Sequence, residues 1–165
     1  MLYRLIASLM FTLMAALAHA QSAAIALGTE AFDRTQPVEV TADALSVDQQ
    51  NGKAVFDGNV LVVQGEVRLS AAKVTVEYSQ TDGSPTGIAS LLATGGVTFV
   101  TTSDAVEAQE AAYSVEGGTV RLSGDVLLTQ GPNAIAGDTL TINLETGSGT
   151  MEGRVRTVFN TGGGN

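Results

Sequence analysis

The feature that most constrains this chain is an internal repeat marked by glycines. Residues 42–78 align without a gap on 108–144 at an offset of 66: Phe56 Asp57 Gly58 Asn59 Val60 falls on Leu122 Ser123 Gly124 Asp125 Val126, and Gln64 Gly65 on Gln130 Gly131. Shorter matches bring Gly95 Gly96 Val97 and Gly153 Arg154 Val155 onto the same signpost, so its glycines stand at 58, 95, 124 and 153, spaced by 37, 29 and 29 residues. The eight extra residues of the first interval fit a loop insertion around 80–87, where Ser84 Pro85 supplies a breaker. A unit of roughly thirty residues holds several short strands, and units of that kind bury a continuous apolar face only by stacking on one another.

The rhythm within the units is two residues long. Val67, Leu69 and Ala71 alternate with Glu66, Arg68 and Ser70; then Val74, Val76 and Tyr78 alternate with Lys73, Thr75 and Glu77. The change of phase predicts a bulge near Ala71 and Ala72. Leu140, Ile142 and Leu144 alternate with Thr139, Thr141 and Asn143 in the same way, which is the pattern of half-buried antiparallel strands. No window after Gln21 carries a 3.6-residue apolar stripe, while Asn51 Gly52, Asp82 Gly83 and Gly117 Gly118 supply hairpin turns. The expected fold is therefore all-β, antiparallel and built from repeats. Such a stack has two ends, and residues 38–42 and 155–159 are the expected edges.

The first twenty residues follow other rules. Arg4 precedes an apolar run over residues 5–17, and Ala18 His19 Ala20 stands before Gln21, which together read as a secretory leader cleaved after Ala20. The run falls short of the ~20 residues a helix needs to span a bilayer. The expected organisation is a signal peptide (1–20), a flexible segment (21–35), one domain (36–159) and a flexible glycine-rich tail (160–165), exported to the periplasm. With no cysteine, an exported domain of this kind relies on burial and backbone pairing alone.

Charge and residue types narrow the function. Removing Arg4 with the leader takes the formal net charge from −9 to −10, which argues against nucleic acid and against bulk attraction to an anionic membrane. The one histidine, His19, lies in the leader, so the remainder has no residue for zinc ligation by His or Cys, for a Ser-His-Asp triad or for a thiol nucleophile. No catalytic residue, metal site or cofactor is expected. A paired-carboxylate hydrolase is the weakest alternative, because the acidic residues are scattered over outward strand positions and turns.

Gln36 Pro37 Val38 Glu39 Val40, Ala42 Asp43, and Phe56 Asp57 Gly58 Asn59 Val60 Leu61 Val62 Val63 Gln64 Gly65 make the chain resemble the LptA/OstA family of lipopolysaccharide-transport proteins. The likeness continues through Ala71 Ala72 Lys73 Val74, residues 108–113 and Leu122 Ser123 Gly124 Asp125 Val126, covering roughly 36–158. Related domains occur in LptC and at the start of LptD, and the expected cleavable leader favours LptA over the anchored LptC. The resemblance implies a V-shaped β-jellyroll whose apolar groove takes the lipid A acyl chains of lipopolysaccharide. It also implies docking to an LptC-like inner-membrane partner and an LptD-like outer-membrane partner, with head-to-tail self-association. The groove residues expected on this basis are Val38, Val40, Phe56, Val60, Val62, Val67, Leu69, Val76, Phe99, Tyr113, Val115, Leu122, Val126, Leu128 and Ile142, with Val74, Ile135 and Leu140 also inward. Docking edges are expected at Val38, Val40, Val155 and Val158. The alternatives are an LptC-like component of the same pathway and a structural β-repeat module whose inward residues fill their own core.

Overall fold

The computed structural model describes residues 22–26 and 36–159; the expected leader and glycine-rich tail lie outside the described residues. Within these residues eleven strands form one antiparallel sheet: β1 (Ser22–Ala26), β2 (Val38–Thr41), β3 (Ala44–Asp48), β4 (Lys53–Gln64), β5 (Val67–Thr81), β6 (Ser84–Val100), β7 (Asp104–Ser114), β8 (Thr119–Gln130), β9 (Asn133–Asn143), β10 (Ser148–Glu152) and β11 (Arg156–Val158). From β4 to β9 each strand pairs with the next as a meander, β2 and β3 share the free edge of β4, and β10 and β11 share that of β9. The sheet does not close on itself. Ser22–Ala26, inside the segment expected to be flexible, instead forms a strand on the outer side of β10.

The repeated glycines mark where the sheet folds. Left-handed residue pairs stand at Gly58–Asn59 (φ 82° and 48°), Gly95–Gly96 (85° and 85°), Gly124–Asp125 (84° and 49°) and Gly153–Arg154 (77° and 42°). On the strands between them the ladder skips two residues at Ala71–Ala72 and at Ala108–Gln109, so the register shifts at one level across five consecutive strand pairs. Glycine is required here for space as well as for φ: a Cβ on Gly95 would lie 2.6 Å from the Ala72 Cβ, and one on Gly124 2.7 Å from the Gln109 Cβ. Aligned bulges of this kind crease a sheet. The crease divides it into a first leaf (β3, 53–57, 73–81, 84–94, 110–114, 119–123, 139–143, β10, β1) and a second leaf (β2, 60–64, 67–70, 97–100, 104–107, 126–130, 133–137, β11). Both leaves contribute to one apolar core.

A repeat unit is thus two long creased strands, not several short ones. The surplus residues of the first unit are not a loop either. They lengthen the β5–β6 hairpin, which turns tightly at Asp82–Gly83 (φ 53° and 77°) and keeps Pro85 paired opposite Gln80 beside a register shift. Two consecutive positive φ values match the right-handed twist of a hairpin, and a proline is tolerated at such an irregularity.

Candidate functional site

The inward face of each leaf is made of largely apolar rows. In the first leaf the cross-strand partners run Val47, Ala54, Val76, Leu91, Tyr113, Val120, Ile142, Gly149, Ile25 and, nearer the crease, Leu45, Phe56, Val74, Ala93, Ala111, Leu122, Leu140, Met151. In the second leaf they run Val40, Val62, Leu69, Phe99, Val106, Leu128, Ile135 and end at Thr157. Residue size along these rows decides what lies between the leaves. Over β8 to β10 the second row carries Leu122, Leu140 and Met151, each 0% exposed, facing an interior shared with Val106 and Leu128. Over β6 and β7 the same row shrinks to Ala93 and Ala111, and the leaves enclose a hollow of about 510 Å³.

That hollow is a trough lined by both leaves. Val38, Val62, Gln64, Val67, Leu69 and Phe99 come from the second, Val74, Ile88, Leu91, Ala93, Ala111, Tyr113 and Val120 from the first, and Val115 and Leu144 follow directly on its strands β7 and β9. Its one amide side chain, Gln64, is turned to the chain itself, its Nε2 donating to the Gln36 carbonyl at 2.8 Å. None of the described Lys or Arg residues lines it. Among the described residues three cations are paired on the surface: Lys53 with Glu77 at 2.7 Å, Lys73 with Asp57 at 2.8 Å and Arg154 with Asp138 at 2.7 Å. Hydrogen bonds from Lys53 and Ser90 hold the Glu77 carboxyl below its ordinary range, and Arg154 does the same for Asp138. Pairs this exposed contribute little to stability. The buried carboxylate Asp104, at the β6–β7 turn, accepts hydrogen bonds from Gln130 Nε2 (2.9 Å) and Ser103 Oγ (3.0 Å) and belongs to turn structure. Among the described residues no three His, Cys, Asp or Glu side chains are grouped to hold a metal.

Of the expected groove residues, the structure brings Val38, Val62, Val67, Leu69, Phe99, Tyr113 and Val115 to the trough, with Val74 beside them. The others are inward but belong to packed core: Val60, Val76, Leu122, Val126, Leu128 and Ile142 are at most 3% exposed, and Val40 and Phe56 pack against that cluster. Ile88, Leu91, Ala93, Ala111, Val120, Leu144 and Gln64 line the trough without having been expected there. A signal for the hollow was present. The residue two places before each signpost glycine is Phe56, Ala93, Leu122 and Met151 in turn, and only one of these is small. Of the expected edges, Val38 and Val40 lie on β2 and Val158 on β11, whereas Val155 sits between β10 and β11, half-buried against the core.

Comparison with known proteins gives concordant results. A family model described as LptA/(LptD N-terminal domain) LPS transport protein matches residues 39–148. The chain is 28% identical over 159 residues to the uncharacterized protein R00383 of Rhizobium meliloti (strain 1021), an alignment covering 92% of this chain and 86% of that protein. It is 42% identical over 72 residues to the lipopolysaccharide export system protein LptH of Pseudomonas aeruginosa, covering 44% of this chain and 38% of LptH. It is 41% identical over 44 residues to LptA of Escherichia coli (strain K12), covering 27% of this chain and 24% of LptA. These last two alignments span less than half of the relatives' own length. Among solved structures, the crystal structure of P. aeruginosa LptH, described as the LptA homologous periplasmic component of the lipopolysaccharide transport device, superposes with a TM-score of 0.68 at 20% identity, covering 78% of this chain and 99% of that one. That likeness establishes a shared fold.

Proposed function

We propose, since the chain belongs to the LptA/(LptD N-terminal domain) family of LPS transport proteins, that it is a periplasmic lipid carrier which holds the acyl chains of lipopolysaccharide in the trough between its leaves and passes the lipid toward the outer membrane. The observation that carries this reading is the apolar hollow itself, about 510 Å³ in volume and floored by Ala93 and Ala111. Each methylene moved from water into such a site is worth about 0.8 kcal/mol, so one chain of lipid length supplies on the order of ten kcal/mol before the costs of ordering. With none of the described cations lining the trough, affinity rests on the acyl chains and the phosphorylated headgroup stays outside.

The creased edges β2–β3 and β10–β11 are the surfaces proposed for an LptC-like partner at the inner membrane, an LptD-like partner at the outer membrane and further copies of this chain. Strand addition at such edges draws on main-chain hydrogen bonds. The alternation of the strands provides a direct test. A photo-crosslinking amino acid in place of inward Leu91 in cells making lipopolysaccharide is expected to yield a lipopolysaccharide adduct, and the same amino acid in place of outward Leu92 is not. Equal labelling at the two positions, or none at Leu91, overturns the carrier reading.

A further inference from the structure

The two leaves do not have the same number of strands. Among the described residues the first leaf has nine and the second eight, and the unmatched strand is β1. Without it the sheet is eight creased strands, because β2 and β3 form one strand bent at the crease, where the Asp43 N–H donates to the Gly58 carbonyl, and β10 and β11 form another, where the Asp138 N–H donates to the Gly153 carbonyl. These two bent strands are the ends of the molecule, and they run in opposite directions.

That parity matters for any stack in which copies follow one another and continue the sheet. The β10–β11 edge of one copy would lie beside the β2–β3 edge of the next, antiparallel in both leaves. With β1 in place, the second leaf still meets antiparallel, but in the first leaf β1 would face a strand running parallel to itself. The two halves of one junction would then need different hydrogen-bond patterns and would be offset by a strand width, about 4.8 Å.

β1 also occupies the position that an incoming β3 would take. It runs in the same direction as β3, and it sits in the same register relative to the crease: Ser22 lies opposite Glu152, just before Gly153, as Ala44 lies opposite Asp57, just before Gly58. Ile25 therefore continues the row that begins at Val47, and it is 6% exposed. Leu45 and Val47 of β3 face the same way but are 57% and 61% exposed, and among the described residues no strand pairs with the outer edge of β3.

We propose that β1 is an internal stand-in for the β3 strand of a second copy, capping the first-leaf half of the β10–β11 edge until head-to-tail joining displaces it. The inference rests on the reading of the two edges as docking surfaces. Joining would bury Val47 where Ile25 now lies, set Leu45 opposite Met151, and restore equal strand numbers to the leaves.

The chain has no cysteine, so engineered disulfides report the arrangement directly. Ala24 and Thr150 are exposed cross-strand partners, and Ser46 holds in β3 the place that Ala24 holds in β1. In the double variant Ala24→Cys with Thr150→Cys, oxidation should fasten β1 to β10 and keep the purified protein monomeric at concentrations where the reduced form associates. When Ser46→Cys and Thr150→Cys copies are mixed, a disulfide-linked heterodimer should form. Deleting residues 22–26 should bring that linkage to about tenfold lower protein concentration, the shift expected if uncapping the edge is worth roughly the net free energy of a single backbone hydrogen bond. Oxidised and reduced double variants that associate alike, or mixed linkage unchanged by the deletion, overturn the role of β1 and leave edge docking standing. No mixed linkage with or without β1 overturns docking at this edge, and the inference with it.

Discussion

At the scale of single residues, the difference between a carrier and a filled sandwich rests on a few methylenes in one cross-strand row. Ala93 and Ala111 are 2% and 3% exposed, yet they border empty volume, whereas Leu122 in the next strand of the same row is wholly enclosed by side chains. Ala111→Leu is therefore expected to leave the melting temperature unchanged or raised, as cavity filling commonly does, while the lipopolysaccharide adduct at Leu91 falls severalfold. Leu122→Ala should instead cost about 2–5 kcal/mol of stability in a urea titration, the usual range for emptying a packed leucine site. A large drop in melting temperature for Ala111→Leu would mean that the floor is already packed, since overfilling a tight core costs about 1–3 kcal/mol.

At the scale of elements, the crease makes a trough out of what would otherwise be a twisted sheet with one apolar face. Four strands turn at a left-handed pair led by glycine, and the strands between them turn at a two-residue skip, so all of them bend at one level. Gly124→Ala brings both costs together, a left-handed φ of +84° and a contact of 2.7 Å with the Gln109 side chain. Gly83→Ala, at a hairpin turn with φ +77° and open space around it, meets only the first. A left-handed alanine costs roughly 1–2 kcal/mol, so Gly83→Ala should lose about that much and Gly124→Ala clearly more, read as denaturation midpoints at equal slope. Equal losses would show that the crease tolerates a side chain and that close approach of the strands is not what holds it.

At the scale of the whole molecule, an unclosed sheet must cover its edges or use them. The β2–β3 edge leaves apolar side chains uncovered on the inward face, Val38 at 44%, Leu45 at 57% and Val47 at 61% exposure, in line with the rows that floor the trough. A solvent-facing substitution away from core and caps usually changes stability by less than about 0.5 kcal/mol. Val47→Lys should thus leave the melting temperature where it is and weaken association with a second copy, measured by sedimentation velocity over a concentration series. An unfolded Val47→Lys variant would place that residue in the core. A folded one that associates normally would remove this edge from the joint.

What the sequence determined by itself is whatever short-range physics specifies. Alternation at period two made the strands and their inward faces legible, the phase change at Ala71–Ala72 located a bulge, and the recurring glycines at 58, 95, 124 and 153 located one structural position before its meaning as a crease was known. Tertiary structure alone decided which inward residues touch hollow space and which touch one another. Val67 and Val126 have the same side chain and both face inward, yet one lines the trough and the other is 1% exposed: Val126 stands at the crease directly after Gly124–Asp125, and Val67 at the far end of its leaf beside the β4–β5 turn. It also decided the fate of residues 22–26: Ser-Ala-Ala-Ile-Ala has almost no polar alternation to read, and its strand exists because the edge of β10, more than a hundred residues away in the chain, leaves backbone groups to be paired.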